Sequence, residues 1–163
     1  MEKTELYETF QKGLTSVNGE SYIAKKADVA ATLTKIFQDK DTHEVALVET
    51  PLLKEIGAVD ALKAAGIKVD TDHFRKNAPD DKGGVTEADY GIANLGSIVQ
   101  MKDDIDCRIV ETVSDVYVGI VKLSKIVDTF DDMIDIMAET KPFPKFAGII
   151  TGPSRTAHIE CVG

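Results

Sequence analysis

Residues 149–160 read IITGPSRTAHIE, and this stretch sets the expected organisation of the chain. Its apolar start is typical of a strand in a covered sheet. Gly152 and Pro153 then require a turn, and Ser154 or Thr156 is placed to cap a helix that follows. The stretch therefore predicts a buried strand, a tight turn and the first turn of a helix, as in a ligand-facing loop.

A helix that begins here would offer a site for a small anion. Backbone N–H groups at a helix N-terminus lack partners within the helix, and the helix dipole favours negative charge there. Arg155 would add a guanidinium fork for a carboxylate or a phosphate. A purely structural alternative stays open, in which Gly152 and Pro153 make the turn, Ser154 caps the helix and Arg155 pairs with a surface acid.

Size and composition point to a single globular domain over residues 1–163. A chain of 163 residues buries roughly two-thirds of the surface that its unfolded form would expose. No apolar run approaches the roughly 18 residues that a membrane helix needs. The N-terminus carries Glu2, Lys3, Glu5 and Glu8 in place of a basic segment followed by an apolar one, so a cytoplasmic protein is expected.

Charge and the placement of cysteines and histidines argue against several kinds of site. The formal net charge is −9, and no stripe of lysine and arginine is available to contact nucleic-acid phosphates. Cys107 and Cys161 lack the Cys-x-x-Cys spacing of zinc, iron–sulfur and redox sites, which predicts two reduced thiols and no cofactor in this chain. His43, His73 and His158 are too far apart in sequence to pair on one helix face, so no metal site is predicted.

Apolar periodicity predicts an α/β fold with an N-terminal helical part over residues 1–40. The predicted helices cover residues 4–14, 20–38, 51–65, 85–93 and 124–139. The predicted strands cover residues 45–48, 67–69, 97–101, 108–112 and 116–121, the last of them central in the sheet. The polar segment 71–84 is expected to be a surface loop. The strand–helix–strand rhythm after residue 45 is typical of parallel strands.

A second glycine-containing turn, Asn94-Leu95-Gly96-Ser97, lies between a predicted helix and a predicted strand. Gly96 permits a backbone geometry or a close approach that a side chain would forbid. In an open α/β sheet, ligands collect at loops where the strand order reverses. If both turns reach one crevice, it would hold three hydroxyls and one cation, from Ser97, Ser154, Thr156 and Arg155.

Residues 84–97, GVTEADYGIANLGS, and residues 151–160, TGPSRTAHIE, resemble the two signature blocks of the LUD domain, which is found in lactate-utilisation protein C. The separation of the blocks and the predicted N-terminal helices also match, so the likeness covers nearly the whole chain. The resemblance implies a three-layer α/β/α sandwich with a mostly parallel sheet. Glucosamine-6-phosphate deaminase, ribose-5-phosphate isomerase and the CoA transferases share that fold.

The same resemblance implies a function in lactate metabolism. Family members belong to an operon-encoded system that oxidises L-lactate to pyruvate, and iron–sulfur proteins are the partners of the lactate-utilisation C protein. Iron–sulfur clusters are therefore expected in partner proteins and not in this chain. Its own expected ligand is a small carboxylate or phosphate, and neither nucleic acid nor a membrane is expected. A homo-oligomer stays open.

The two turns and the resemblance together give the candidate site residues. The expected substrate- or anion-binding residues are Gly96, Ser97, Gly152, Ser154, Arg155 and Thr156, with Glu87, Asn94 and His158 as further candidates. No residue is assigned a catalytic role.

The chain departs from the family pattern in three places. Asn94 and Leu95 stand where the family usually has an acidic residue and a threonine or serine, and His158 stands where it usually has aspartate. The family chain also continues through a Gly-x-His-Gly-Pro segment and a last strand. The C-terminal end is therefore expected to be short and to leave a sheet edge open to a partner.

Three functions stay open at this point. The first is an accessory subunit of an L-lactate oxidation complex. The second is a stand-alone enzyme for a small phosphorylated or acyl substrate, which rests on fold analogy. The third is a small ligand-sensing protein, which the departures at Asn94 and Leu95 favour.

Overall fold

The computed structural model describes residues 3–17, 19–77, 81–101, 105–142, 147–151 and 156–162. Within these ranges the α-helices are α1 (Lys3–Thr15), α2 (Val29–Asp39), α3 (Pro51–Glu55), α4 (Ala58–Ala64), α5 (Phe74–Asn77), α6 (Ile105–Val113) and α7 (Phe130–Glu139). The strands are β1 (Glu20–Lys25), β2 (Glu44–Leu47), β3 (Lys68–Asp70), β4 (Gly83–Glu87), β5 (Tyr90–Ile92), β6 (Ser97–Gln100), β7 (Val116–Lys122), β8 (Ile126–Val127), β9 (Gly148–Thr151) and β10 (Thr156–Val162). Two short 3₁₀ helices cover Lys26–Asp28 and Leu123–Lys125.

The strands form two sheets. Sheet A has six strands in the order β1-β10-β7-β4-β2-β3, and all its pairs are parallel. Sheet B has four strands in the order β8-β5-β6-β9, with antiparallel pairing of β6 to both β5 and β9. Parallel strands that are covered on both faces are apolar along their whole length. β7 shows this, since all its residues except Lys122 are buried.

One face of sheet A carries the main hydrophobic core under α2, α3 and α4. In α2 the buried positions form one stripe, Val29, Leu33, Ile36 and Phe37. This helical spacing turns a single face of α2 towards the sheet. Val118 and Ile120 of β7 belong to the same core.

The opposite face of sheet A is covered in two parts. α5 and α6 cover β2 and β4, where Phe74 and Val110 pack with Ala46. α1 and sheet B cover β7, where Phe10 and Ile98 pack in one cluster with β7 side chains. α7 in turn covers sheet B through buried Met133, with Ile92 and Val99. The result is helices on both faces of a parallel sheet, and the predicted three-layer α/β/α class is confirmed.

Two predicted helices contain strands instead. Residues 20–38 are predicted as one helix, but β1 occupies Glu20–Lys25 and α2 begins only at Val29. The N-terminal part, residues 1–40, is therefore not wholly helical. Residues 85–93 are predicted as a helix but hold the end of β4 and all of β5. In both cases pairing with distant strands overrides local pattern, since β1 pairs with β10 and β4 lies between β2 and β7.

Three further boundaries differ from the predictions. Residues 108–112, predicted as a strand, lie in α6, whose buried face is formed by Cys107 and Val110. The helix predicted over 124–139 begins at Phe130, because Thr129 and Asp132 form a capping box there. The helix predicted over 51–65 is two helices, α3 and α4, separated at Gly57, where φ is +67°.

The predictions for the segments before β4 and at β10 are also corrected. The predicted surface loop over 71–84 contains α5, which is anchored by buried Phe74, and its last two glycines begin β4. The helix expected after the turn at 152–155 is wrong, because Thr156–Val162 is strand β10, paired on both sides. No local signal in this stretch outweighs two flanking parallel strands.

The other predicted elements are confirmed to within a residue or two. α1 contains residues 4–14, and β2, β3 and β6 match the strands predicted at 45–48, 67–69 and 97–101. β7 matches 116–121 and is an interior strand of sheet A, as predicted. No helix of the described ranges has the length and apolarity to cross a bilayer.

Candidate functional site

Sheet B places the first glycine-containing turn beside the end of β9. Ser97, at the start of β6, is the antiparallel partner of Thr151, at the end of β9. The turn at 94–97 therefore adjoins the residue from which segment 152–155 departs. Gly152, Ser154 and Arg155 lie outside the described residues, so their part in binding stays a prediction.

The strand at Thr156 changes the physical basis of the predicted anion site. No helix begins after the turn, so no helix dipole favours an anion at Thr156. Thr156 pairs with Tyr117, near the start of β7, and His158 pairs with Gly119. An anion at this turn would depend on the Arg155 side chain and on hydroxyl and backbone donors.

Gly96 is explained by the approach of α1. Its φ is +62°, and a Cβ on it would lie 2.1 Å from the backbone nitrogen of Leu14. A Cβ on Gly13 would in turn lie 2.7 Å from the Gly96 nitrogen. Ser97 is fully buried, whereas Asn94 and Leu95 are exposed at the turn. The first turn therefore supplies a close backbone contact with α1 and two side chains that face solvent.

The strand order reverses at a different place, between β2 and β4. From β2 the chain runs outward to β3 and returns to β4 on the other side of β2. Crevices at the carboxyl ends of such strands are where doubly wound sheets bind ligands. Thr50, after β2, donates its hydroxyl proton to Glu87 Oε1 at the end of β4, with 2.5 Å between the oxygens. The same Thr50 oxygen caps α3 by accepting from Leu53 N at 3.2 Å.

Charged side chains surround this carboxyl edge of sheet A. Lys122 ends β7, and Lys26 follows β1 and pairs with Glu55 at 2.7 Å. Buried Cys161, in β10, pairs in register with Lys122. Burial raises the pKa of the Cys161 thiol, and Lys26 and Lys122 oppose the rise. The thiol is therefore protonated near neutral pH and a weak nucleophile.

A buried polar network lies on the face of β4 that is opposite the main hydrophobic core. The Thr86 hydroxyl donates to Glu111 Oε1 at 3.2 Å, accepts from Gln100 Nε2 at 3.1 Å and contacts the Tyr117 hydroxyl. Gln100 also donates to the Glu87 carbonyl oxygen at 3.0 Å. Burial, and secondarily the charge of Glu111, raises the pKa of Tyr117 well above its ordinary value. Tyr117 therefore stays protonated and serves as a donor in this network.

A cleft of about 580 Å³ lies beside this network, between α6 and β9. We call it the α6–β9 cleft. Its apolar wall residues are Ile105, Ile109, Val113, Ile149 and Ile150. Arg108 and Glu111 also line it, and Glu111 joins it to the Thr86 network. β9 ends at Thr151, the residue before segment 152–155.

The predicted site residues therefore fall into separate places. Gly96 and Ser97 adjoin Thr151, but Glu87 lies at the opposite, carboxyl edge. Glu87 pairs with Ile120 of β7, and Thr156 pairs with Tyr117 of the same strand. Ile120 and Tyr117 are three residues apart, so Glu87 and Thr156 are separated by about 10 Å along the strand direction. In the part of the chain that is described, no group of three histidine, cysteine or carboxylate side chains is arranged to hold a metal ion.

Sequence reasoning missed several residues of these sites. Thr50 could have been predicted as the N-cap of α3, since threonine followed by proline is typical of an N-cap and the first helical position. Gln100, Tyr117 and Ile149 carried none, because only the packing of sheet B and α6 on sheet A brings them to the network and the cleft.

Comparison with known proteins identifies a family and a fold. The family model for the LUD domain matches residues 7–163. The chain is also similar to a solved structure, that of a DUF162 family protein from Deinococcus radiodurans. The TM-score is 0.74 at 14% sequence identity, over 100% of this chain and 99% of the other. At that identity the likeness shows the fold alone. No curated protein matches the chain.

Proposed function

Because the chain belongs to the LUD domain family, which is associated with lactate utilisation, we propose that it is an accessory subunit of an L-lactate oxidation system. In this proposal the oxidation of L-lactate to pyruvate is carried out with iron–sulfur partner proteins in the cytoplasm. This chain binds a small anion. The family match over residues 7–163 is the observation that carries the proposal.

The proposed anion site lies at the second turn. Pairing of Ser97 with Thr151 supports it, because it fixes one end of the turn against the first signature block. β10 fixes the other end at Thr156, between β1 and β7. A short segment held at both ends suits the positioning of donors around one ligand. Ser154, Arg155 and Thr156 are the proposed donors, and Gly152 is a further proposed residue of the anion site.

Replacement of Arg155 tests the anion site. Arg155→Ala is expected to lose most of the thermal stabilisation by whichever of L-lactate, pyruvate or inorganic phosphate stabilises the wild type. Loss of the guanidinium removes a charge-assisted hydrogen bond, which typically weakens binding by about tenfold or more. Arg75→Ala, at an exposed position on α5, is the matched control and is expected to keep the full shift. Equal shifts in both variants would rule out the role of Arg155.

The contact between Thr50 and Glu87 favours a second candidate, a stand-alone enzyme or a sensor for a small phosphorylated or acyl substrate. It places a carboxylate at the point where strand order reverses, a position suited to proton transfer. Glu87→Gln keeps an acceptor for Thr50 but removes the carboxylate base. Turnover that is lost in this variant with binding unchanged would identify an enzyme. A ligand that binds the wild type without turnover and alters partner affinity would identify a sensor.

A further inference from the structure

The two edges of sheet A differ in how they are protected against pairing with another chain. The outermost strands are β1 and β3. β3 has three residues, and two of them, Lys68 and Asp70, are charged. Short strands and charged side chains are the usual protection of a sheet edge. β3 is therefore a protected edge, because a further strand would find few backbone groups there and would desolvate two charges.

β1 lacks this protection. It has six residues, Glu20–Lys25, and its charged side chains stand only at the two ends. Among the residues that the structure describes, β1 pairs on one side only, with β10. An edge strand directs alternate N–H and C=O groups outward, where a further strand can bind them. The middle of β1 is therefore an uncharged stretch of sheet edge.

Ile23 marks the centre of this edge. It is 49% exposed, the highest value among the exposed large apolar side chains of the described chain. Its neighbours Tyr22 and Ala24 pack in the main hydrophobic core, so alternation along the strand turns Ile23 to the opposite face of the sheet. A cleft of about 460 Å³ adjoins the strand here and is lined from β1 by Ile23, Ala24 and Lys25. The described chain thus leaves both apolar surface and space beside β1.

The sequence of β1 is complementary to a second copy of itself. Two copies of one strand related by a twofold axis run antiparallel, and one residue then faces its own copy. With the axis at Ile23, the two Ile23 side chains lie opposite each other, and Tyr22 lies opposite Ala24 of the other copy. Apolar cross-strand pairs of this kind stabilise a sheet. The acidic end at Glu20 meets the basic end at Lys25 of the other copy, so charge also favours this arrangement.

We propose that β1 is a dimerisation strand, through which two copies of this chain pair antiparallel about a twofold axis at Ile23. The two copies of sheet A then form one continuous sheet. The dimer is independent of the proposed anion site and of association with iron–sulfur proteins, so either can fail without the other.

Light scattering over a range of protein concentrations tests the dimer. The wild type is expected to reach twice the 17.7 kDa of one chain. Ile23→Lys places like charges opposite each other at the axis and is expected to be monomeric at every concentration. Ile134→Lys, on α7, is the matched control, because Ile134 is 43% exposed and lies outside β1; it is expected to stay dimeric. A wild type that is monomeric at the highest concentration, or a dimeric Ile23→Lys, would overturn the proposal.

A disulfide tests the position of the axis. Residues directly opposite in an antiparallel pair have Cα atoms about 4.5–5.5 Å apart, within the range of about 4.4–6.8 Å that a disulfide spans. Mild oxidation is therefore expected to convert Ile23→Cys to a covalent dimer, seen by non-reducing electrophoresis. Cys107 and Cys161 are buried, so the wild type is expected to stay uncross-linked. A dimer in which Ile23→Cys cross-links no better than Ile134→Cys would place the contact elsewhere and overturn the assignment.

Discussion

At the scale of single residues, Asp81 shows how a buried carboxyl couples to its neighbours. Asp81 is 2% exposed, and burial raises its pKa to about 7, with a further rise from its hydrogen bond to Asp70. The charges of Asp70 and Glu44 add to the rise and that of Lys68 opposes it. At pH values below about 7 the folded protein therefore keeps the Asp81 carboxyl protonated, beside the end of β3.

The Asp81 pKa makes stability depend on pH in a defined direction. An aspartate ordinarily has a pKa of 3.8, so between about pH 4 and about pH 7 the folded state binds a proton that the unfolded state has lost. The free energy of unfolding therefore falls as pH rises through this window and is level above it. Asp81→Asn, which still donates a hydrogen bond to Asp70, is expected to melt roughly 5 °C higher than wild type at pH ~8.

The advantage of Asp81→Asn is expected to vanish only towards pH ~3, below the ordinary aspartate pKa of 3.8, where wild-type Asp81 is protonated in both states. Melting curves across this pH range measure it. Asp115→Asn, at an exposed position before β7, is the control and is expected to follow the wild type. An offset of Asp81→Asn that is the same at every pH would contradict the raised pKa of Asp81.

At the scale of elements, the correctly predicted helices and strands are those whose own apolar pattern is enough to determine their conformation. α1 and β7 are of this kind, because apolar spacing in α1 and a continuous apolar run in β7 each fit one structure. β1, β5 and β10 are not, since their residues become strands only through partners distant in the chain. The same limit applies to the site. Glycine located the first turn, whereas the second predicted turn lies outside the described residues. The pairing of Ser97 with Thr151 depends on sheet B, which local pattern does not reveal.

The contact between α1 and the first turn predicts a large effect at Gly96. Gly96→Ala would place a Cβ 2.1 Å from the Leu14 backbone and keep a residue at φ +62°. It is expected to lower the free energy of unfolding by about 3 kcal/mol or more, because backbone atoms must move. Gly66→Ala, at φ +83° with no atom within 4 Å of the new Cβ, is expected to cost only about 1 kcal/mol. Urea denaturation compares the two, and similar losses would show that close approach is unimportant.

At the scale of the whole molecule, the family blocks define one region only after the chain has folded. The first block crosses from β4 in sheet A to β6 in sheet B, and the second runs from β9 in sheet B to β10 in sheet A. The blocks thus connect the two sheets. The α6–β9 cleft and the Thr86 network lie between sheet A and sheet B. The resemblance could predict the family and the layer class. It could not predict which side chains line the cleft, because α6 was assigned to a strand.

Purification of the tagged chain from its own host under anaerobic conditions tests the proposed function most directly. Visible absorbance and the identity of the bound proteins are the two readings, with an untagged host as the control for background. As an accessory subunit, the chain is expected to bring down iron–sulfur proteins and a brown colour, and the mixture is expected to oxidise L-lactate. A chain that is recovered alone and colourless, with lactate oxidation left entirely in the unbound fraction, would contradict a role in that complex.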